Sequence, residues 1–180
     1  MKISKILKII GVLTLIFISV LVYMLFINPT SPRGFSEFIK DDLTMSVDYS
    51  RPYKKERLIF GDSASGALVP YNKYWRLGAN FATTFEINKE ISFASRIVNK
   101  GKYRMYAVPF ENTWKISLNR EPGSFGYSEP DYSKDILSVN LPSTQMTDIL
   151  EQLTIDFIED SLGTAMRIRW DSTMVIVPLK

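Results

Sequence analysis

The strongest constraint in the sequence is an uncharged, apolar run of nineteen residues, Ile9 to Ile27. At about 1.5 Å per residue, a helix of this length extends about 28 Å, close to the roughly 30 Å thickness of a bilayer's hydrocarbon core. Its polar members, Thr14 and Ser19, do not form the polar stripe of a helix packed against a soluble core. The run therefore predicts one transmembrane helix.

A cleaved signal peptide is the alternative interpretation of this run. The apolar part of a signal peptide is about 7 to 15 residues long and ends at small residues near the cleavage site. Here the run ends in five bulky residues, Tyr23 to Ile27. We therefore favour an uncleaved anchor in contact with the lipid bilayer.

The charges around the run predict its orientation. Three lysines lie within residues 1–8, whereas only Arg33 follows the run closely. Since basic residues stay on the cytoplasmic side, residues 1–8 are predicted to be a cytoplasmic tail and the rest of the chain to lie outside. The three lysines account for the whole net charge of +3. The neutral remainder argues against nucleic-acid binding, which uses basic surfaces.

Proline and residue count predict how the rest of the chain is divided. Pro29 and Pro32 restrict the residues before them to extended conformations, so residues 28–42 are predicted to be a linker. Residues 43–180 are predicted to form one domain, because they are enough for a single core and too few for two.

Alternation of apolar and polar residues predicts strands throughout this domain. Met45, Val47 and Tyr49, for example, share one face. The alternation recurs at residues 83–87, 114–118, 137–141, 153–157, 166–170 and 175–177. Glycines and prolines separate the runs, as in antiparallel folds. The pattern predicts a mostly β fold, an antiparallel β-sandwich of jelly-roll-like or barrel-like form, with a brief helical turn between Ser143 and Gln152.

The chain contains no histidine and no cysteine. This excludes Ser-His-Asp and Cys-His nucleophiles, zinc sites that use histidine or thiolate, and disulfides. We predict no metal site, no cofactor and no catalytic residues. The remaining enzymatic alternative is a hydrolase with two carboxylates about 5 to 9 Å apart in a cleft, acting on envelope carbohydrate. Its candidate carboxylates are Asp48, Glu86, Glu111, Asp135, Glu151 and Asp156.

One segment of the domain combines arginines with aromatic and amide side chains. It supplies the candidate ligand-binding residues, which are Arg51, Arg57, Trp75, Arg76 and Asn80. Three converging arginines would bind a carboxylate, a phosphate or a sugar. The alternative is structural: the arginines pair with Asp48, Asp62 or Asp171 and stack on Tyr71 or Trp75, and so fix the loops.

Several strings resemble a bacterial family of exported domains known as domain of unknown function 2911. They include VDYSRP, RLIFG, LVPY, WRLGANFATT, GKYRMYAVP and RIRWDS, and the resemblance covers residues 43 to 178. The family implies a signal or anchor followed by one compact, mostly β domain, and no established activity. Its recurrent positions correspond to Tyr49, Arg51, Arg57, Gly61, Trp75, Arg76, Gly78, Asn80, Thr83, Tyr103, Pro109, Trp114, Asn119 and Trp170.

These observations lead to one functional expectation. We expect a single-pass protein of the bacterial cytoplasmic membrane, with its N-terminus inside and its β domain outside, in the periplasm or the extracellular space. The domain is expected to act as a binding or envelope-interaction module for an envelope ligand or a protein partner, without catalysis. A purely structural domain held at the membrane surface is the remaining alternative.

Overall fold

The chain forms two compact units, residues 1–32 and 33–180. The computed structural model describes residues 2–27, 30–123, 125–161 and 163–180. The first two positions of the predicted linker, 28 and 29, and the first residue of the predicted tail lie outside the described residues.

The first unit is a helix built on the apolar run. Helix α1 covers Lys2–Val22 and is followed by a π-helical turn at Tyr23–Ile27. Within it, Ser4–Val22 has a mean hydropathy of 2.4 and none of the segment is buried. By length and composition this helix is able to cross a membrane, as either an anchor or a signal peptide would. It begins before the predicted span at Ile9, because the lysine-bearing tail is helical as well.

The second unit consists mainly of strands, joined by loops and two short 3-10 helices. Its strands in the described residues are β1 (Arg33–Lys40), β2 (Leu43–Ser50), β3 (Phe60–Gly61), β4 (Val69–Pro70), β5 (Thr83–Ile87), β6 (Ile91–Phe93), β7 (Arg96–Val98), β8 (Gly101–Pro109), β9 (Thr113–Asn119), β10 (Asp135–Asp160) and β11 (Gly163–Leu179).

Nine of these strands form one sheet, in the order β1-β2-β5-β8-β9-β10-β11-β6-β7. All neighbours in this sheet run antiparallel, whereas β3 and β4 form a separate parallel pair. The described strands do not close into a barrel. The prediction of a mostly β, antiparallel domain after one apolar helix is confirmed.

The long strand β10 carries the sheet from one layer into the other. Its first part, residues 135–142, pairs with β9, and residues 143–160 pair with β11. The two layers then face each other: the Tyr49 hydroxyl of β2 accepts a hydrogen bond from the Ile155 amide at 2.8 Å. Phe85 of β5 packs on Phe93 of β6 with 5.6 Å between ring centroids. The single sheet thus encloses its core as a sandwich does.

The middle of β10 differs from the prediction. A helical turn was predicted between Ser143 and Gln152, but the whole segment is strand. The pairing with β11 shifts register between Gln145 and Leu150 and again between Leu150 and Thr154. Such irregularities bend a strand and interrupt its alternation, which is why the sequence pattern was misleading here.

The sheet begins inside the segment that was predicted to be linker. Strand β1 pairs with β2 along its whole length, from Arg33 opposite Ser50 to Lys40 opposite Leu43. Its inward positions are small or apolar, with Gly34 buried and Phe38 in contact with the core. Only Asp41 and Asp42 lie between the two strands, so they form a tight hairpin turn rather than the end of a linker.

The core lies between the layers and is centred on three tryptophans. Trp75, Trp114 and Trp170 are each at most 6% exposed. Trp75 stacks on Trp170 with 5.9 Å between centroids and meets Trp114 edge-on at 5.4 Å. Phe60 completes the group at 4.9 Å from Trp114. Aromatic rings dominate the buried area here, so this group anchors strand β3, which carries Phe60, and the loop that carries Trp75 to the large sheet.

Candidate functional site

The structure does not bring the five candidate residues to one point. Trp75 lies in the tryptophan core, where its amide donates to the Ala107 carbonyl at 2.8 Å and its carbonyl accepts from the Ala107 amide at 2.9 Å. At 6% exposed, the Trp75 side chain is held by other rings. Its position favours a packing role.

Arg51 and Arg57 bind different parts of the chain. The Arg51 Nε donates to the Leu153 carbonyl at 3.2 Å, and its Nη2 donates to Thr154 Oγ1 at 3.2 Å. The exposed Arg57 donates its Nε to the Lys54 carbonyl at 2.9 Å, which closes a local turn. Both arginines therefore hold backbone carbonyls. Two of the three carboxylates suggested as their partners form ion pairs with other residues, Asp48 with Arg33 and Asp171 with Lys54.

Arg76 and Asn80 do lie together, at the contact between two loops. The Arg76 guanidinium lies 5.6 Å from the centroid of the Tyr127 ring. The Asn80 carbonyl accepts a hydrogen bond from the Gly126 amide at 2.9 Å. Residues 71–82 thus hold the connection between β9 and β10, residues 120–134, which we call the covering loop. Arg76 does stack on an aromatic ring, but the ring is that of Tyr127, whereas the structural alternative named Tyr71 or Trp75.

The string WRLGAN has its shape because it forms a tight turn against β2. Leu77 and Asn80 have positive φ angles of 53° and 58°. A Cβ on Gly78 would lie 2.8 Å from the Ser50 carbonyl oxygen, so only glycine fits there. The Thr83 hydroxyl donates to the Leu77 carbonyl at 2.8 Å and closes the turn. The most specific string in the sequence is therefore explained by backbone geometry.

Strand β8 is covered on both faces. Met105 and Ala107 point into the core, and Arg104 and Tyr106 point to the opposite face of the sheet. Arg104 is nevertheless only 6% exposed and Tyr106 only 1%. The covering loop and Tyr74 shield this face, so a second, smaller packed layer lies outside the sheet.

Asn119, fully buried at the end of β9, fixes both ends of the covering loop. Its Oδ1 accepts a hydrogen bond from the Glu121 amide at 3.0 Å. Its Nδ2 donates to the Asp131 carbonyl and to Asp135 Oδ1, each at 2.8 Å. Because the amide has two donors and an acceptor, one side chain secures the loop at three points.

Three tyrosine rings line a cleft beside the covering loop, which we call the tyrosine cleft. Tyr106 forms its floor, with Tyr74 at 5.5 Å and Tyr132 at 6.0 Å between ring centroids. The cavity has a volume of about 420 Å³, within the usual size of small-ligand sites. Its other lining residues are Asn72, Lys73, Val108, Lys115 and Glu129.

The surroundings of the cleft raise the pKa of each of its tyrosine hydroxyls. Burial and then a hydrogen bond to Asp135 raise the pKa of Tyr106. Burial and then a hydrogen bond to Glu129 raise the pKa of Tyr132. Burial also raises the pKa of Tyr74. The three groups are phenols at neutral pH, as ordinary tyrosines are, and the raised pKa values extend this state to more alkaline pH.

Arg104 supports the wall of the tyrosine cleft from behind. Its Nη2 donates to the Tyr74 hydroxyl and to the Ser128 carbonyl. The Tyr74 hydroxyl in turn donates to the Gly126 carbonyl at 3.1 Å. No described carboxylate forms an ion pair with Arg104. The guanidinium thus fixes the ring of Tyr74 and the covering loop together.

The charged side chains of the cleft are two lysines and one glutamate. Lys73 and Lys115 are exposed and form no ion pair with a described residue. Glu129 accepts a hydrogen bond from the Tyr132 hydroxyl at 2.6 Å. Within the described parts of the chain, no group of three acidic side chains is arranged to hold a metal ion.

The residues of the tyrosine cleft were missed in the sequence, although two signals were present. In the run Tyr103 to Val108, bulky residues occur at both odd and even positions, and therefore on both faces of a strand. This pattern is typical of a strand that is covered on both faces. The segment from Glu121 to Asp135 carries three aromatic residues among prolines and glycines. Aromatic side chains contribute large buried areas in folded proteins, so these residues indicate a loop that packs against the sheet.

The comparisons with known proteins identify a family but no individual relative. No curated protein and no solved structure matches the chain. A family model, described as "Protein of unknown function (DUF2911)", matches residues 31–179. The match begins two residues before β1 and ends with β11, so it covers all of the described strands. The chain therefore belongs to this family, as its strings predicted.

Proposed function

We propose that this protein is a single-pass, membrane-anchored module whose exterior domain binds carbohydrate in the tyrosine cleft. The observation that carries the proposal is one open cavity of about 420 Å³, walled by the rings of Tyr74 and Tyr132 above the buried ring of Tyr106. Sugar rings stack on aromatic faces and satisfy their hydroxyls with nearby polar groups. Asn72, Lys73 and Glu129 supply such groups in the lining.

The lining favours binding over hydrolysis. Hydrolysis of a glycosidic bond by the usual route needs two carboxylates in the cleft, about 5 to 9 Å apart. Among the described lining residues, Glu129 is the one carboxylate. Asp135 lies behind the floor, where it accepts hydrogen bonds from Tyr106 and Asn119. The raised pKa of the Tyr132 hydroxyl lowers the share of phenolate that could act in place of the second carboxylate.

Binding is tested by calorimetric titration of the full-length protein in nanodiscs. The probes are chitotetraose, cellotetraose and maltotetraose, which differ in linkage and in N-acetyl groups. The proposal expects saturable binding of at least one tetrasaccharide and no release of shorter sugars during prolonged incubation. Absence of binding to all three contradicts the carbohydrate assignment, and release of shorter sugars supports the hydrolase instead.

The membrane arrangement rests on the helix and on its charges. The apolar segment Ser4–Val22 is long enough to cross a bilayer. Lysines precede its apolar part, which favours a cytoplasmic N-terminus and an exterior domain. Protease added outside intact spheroplasts is expected to digest the β domain. Protection of the domain contradicts the orientation, and a mature N-terminus near residue 28 contradicts the anchor.

A further inference from the structure

A second concave surface lies between β7, which is the last strand of the large sheet, and the first part of β10. It consists of two adjoining cavities of about 420 and 450 Å³ that share Ile97 and Ile136 in their linings. We call it the edge groove, and it shares no lining residue with the tyrosine cleft. The groove is defined by Arg96–Val98 of β7, Ile136–Ser138 of β10, Lys100 and Arg120.

Both strands present a free backbone edge to the groove. β7 ends the sheet and pairs with β6 alone. In the described pairing, residues 135–142 of β10 bond to β9 on one side and to no strand on the other. A strand edge of this kind offers a row of unpaired N–H and C=O groups to an incoming chain.

The side chains of the edge groove are basic and apolar. Its lining includes four basic residues and no acidic one among the described residues. Lys102 pairs with Glu86 at 3.2 Å, whereas no ion pair connects Arg96, Lys100 or Arg120 to a described residue. Ile97 is 67% exposed at the centre of β7. The surface therefore fits a partner with both negative charge and apolar side chains.

We propose that the edge groove binds an extended, acidic segment of a partner protein, which adds as a strand to the free edge of β10 at Ile136–Ser138. Main-chain hydrogen bonds to β10 would give affinity, and alternate side chains of the partner would contact Ile97 and Ile136. Arg96, Lys100 and Arg120 select acidic partners. An anionic polysaccharide fits less well, because it has neither a strand's hydrogen-bonding row nor apolar side chains to bury.

The test uses the full-length protein in nanodiscs of neutral lipid and three synthetic peptides. The first is Ac-Glu-Val-Glu-Val-Glu-Val-Glu-NH2. The second has lysine in place of each glutamate, and the third has proline in place of the central valine, which prevents strand pairing. We expect the first peptide alone to bind and to slow amide hydrogen exchange at Ile136–Ser138.

Charge reversals separate the edge groove from general charge effects. Arg96→Glu and Arg120→Glu are each expected to weaken binding of the acidic peptide at least fivefold. Both side chains are exposed and unpaired, so the folded state is retained, which thermal unfolding checks. The matched control is Lys73→Glu, which reverses an exposed charge in the tyrosine cleft and should leave peptide binding unchanged.

Three results would overturn the proposal. Equal binding of the proline peptide shows that no strand is added. Stronger binding of polygalacturonate than of the acidic peptide assigns the groove to an anionic polysaccharide. Absence of peptide binding, together with self-association of the Arg96→Glu variant, shows that the basic residues only keep the free edge from pairing with other copies.

Discussion

The carbonyl of Asn80 accepts a hydrogen bond from the amide of Gly126, at 2.9 Å. This bond connects the turn formed by the WRLGAN string to the covering loop, and so joins a core element to one wall of the tyrosine cleft. Asn80 adopts φ = 58°, a left-handed conformation that asparagine and glycine accept more readily than other residues. The site thus depends on the Asn80 backbone rather than on its side chain.

The first prediction concerns this backbone. Asn80→Ala should lower the free energy of unfolding by about 1 kcal/mol, because alanine is strained at positive φ. Asn80→Gly is the matched variant and should cost less than the alanine change, since glycine accepts this conformation. Urea unfolding of the full-length protein in detergent micelles measures both. Equal losses in the two variants would show that the asparagine side chain itself matters.

The second prediction concerns Trp75, which was expected to bind ligand and which lies in the core. Trp75→Ala should destabilise the domain by about 3 to 5 kcal/mol, as truncation of a buried aromatic residue does. Tyr127→Ala is the control, because Tyr127 is 81% exposed. A folded Trp75→Ala variant with an unchanged free energy of unfolding would contradict the packing role and would support a ligand-binding role for Trp75.

The third prediction concerns Asn119. Asn119→Ala removes the three hydrogen bonds that secure the covering loop and leaves the Asp135 carboxylate without one donor. Amide hydrogen exchange should become faster across residues 120–134 while strands β2 and β5 keep their protection. Faster exchange throughout the sheet would instead show that Asn119 supports the whole fold.

The fourth prediction concerns alkaline pH. The folded-state pKa of Tyr106 is raised above its ordinary value near 10, so the folded state keeps this proton when the unfolded state loses it. Stability from this group is present below pH 10 and falls as pH rises, by up to about 1.4 kcal/mol per pH unit. Tyr106→Phe should flatten this loss in urea unfolding series between pH 9 and 11. An unchanged slope in the variant would contradict the shifted titration.

The elements of the fold that depend on residue type alone were predictable. The helix follows from the uncharged run, and the strands at residues 45–49, 83–87 and 114–118 follow from alternation over a buried face. The start of β1 was missed because Pro29 and Pro32 suggested a linker that reaches further than it does. The continuity of β10 was missed because a register shift interrupts the alternation of apolar and polar residues in the same way as a short break between two strands does.

The candidate site was less predictable, because it depends on contacts between distant segments. Arg51, Arg57 and Arg76 are close in sequence, but each donates to or stacks on a different partner. Tyr74 and Tyr132, separated by 58 positions in the numbering, meet across Tyr106. Contacts of this kind depend on the paths that loops take over the sheet. The local alternation of residues does not predict those paths.

Under the proposed function, the tyrosine cleft binds carbohydrate through its exposed rings. The most direct measurement compares two single tyrosine variants by calorimetric titration with the tetrasaccharide that the unmodified protein binds. Tyr132→Ala removes a cleft ring and should weaken binding at least tenfold. Tyr53→Ala removes a partly exposed ring outside the cleft lining and the covering loop, and should leave binding unchanged. Equal affinities for the two variants would contradict the assignment of the cleft.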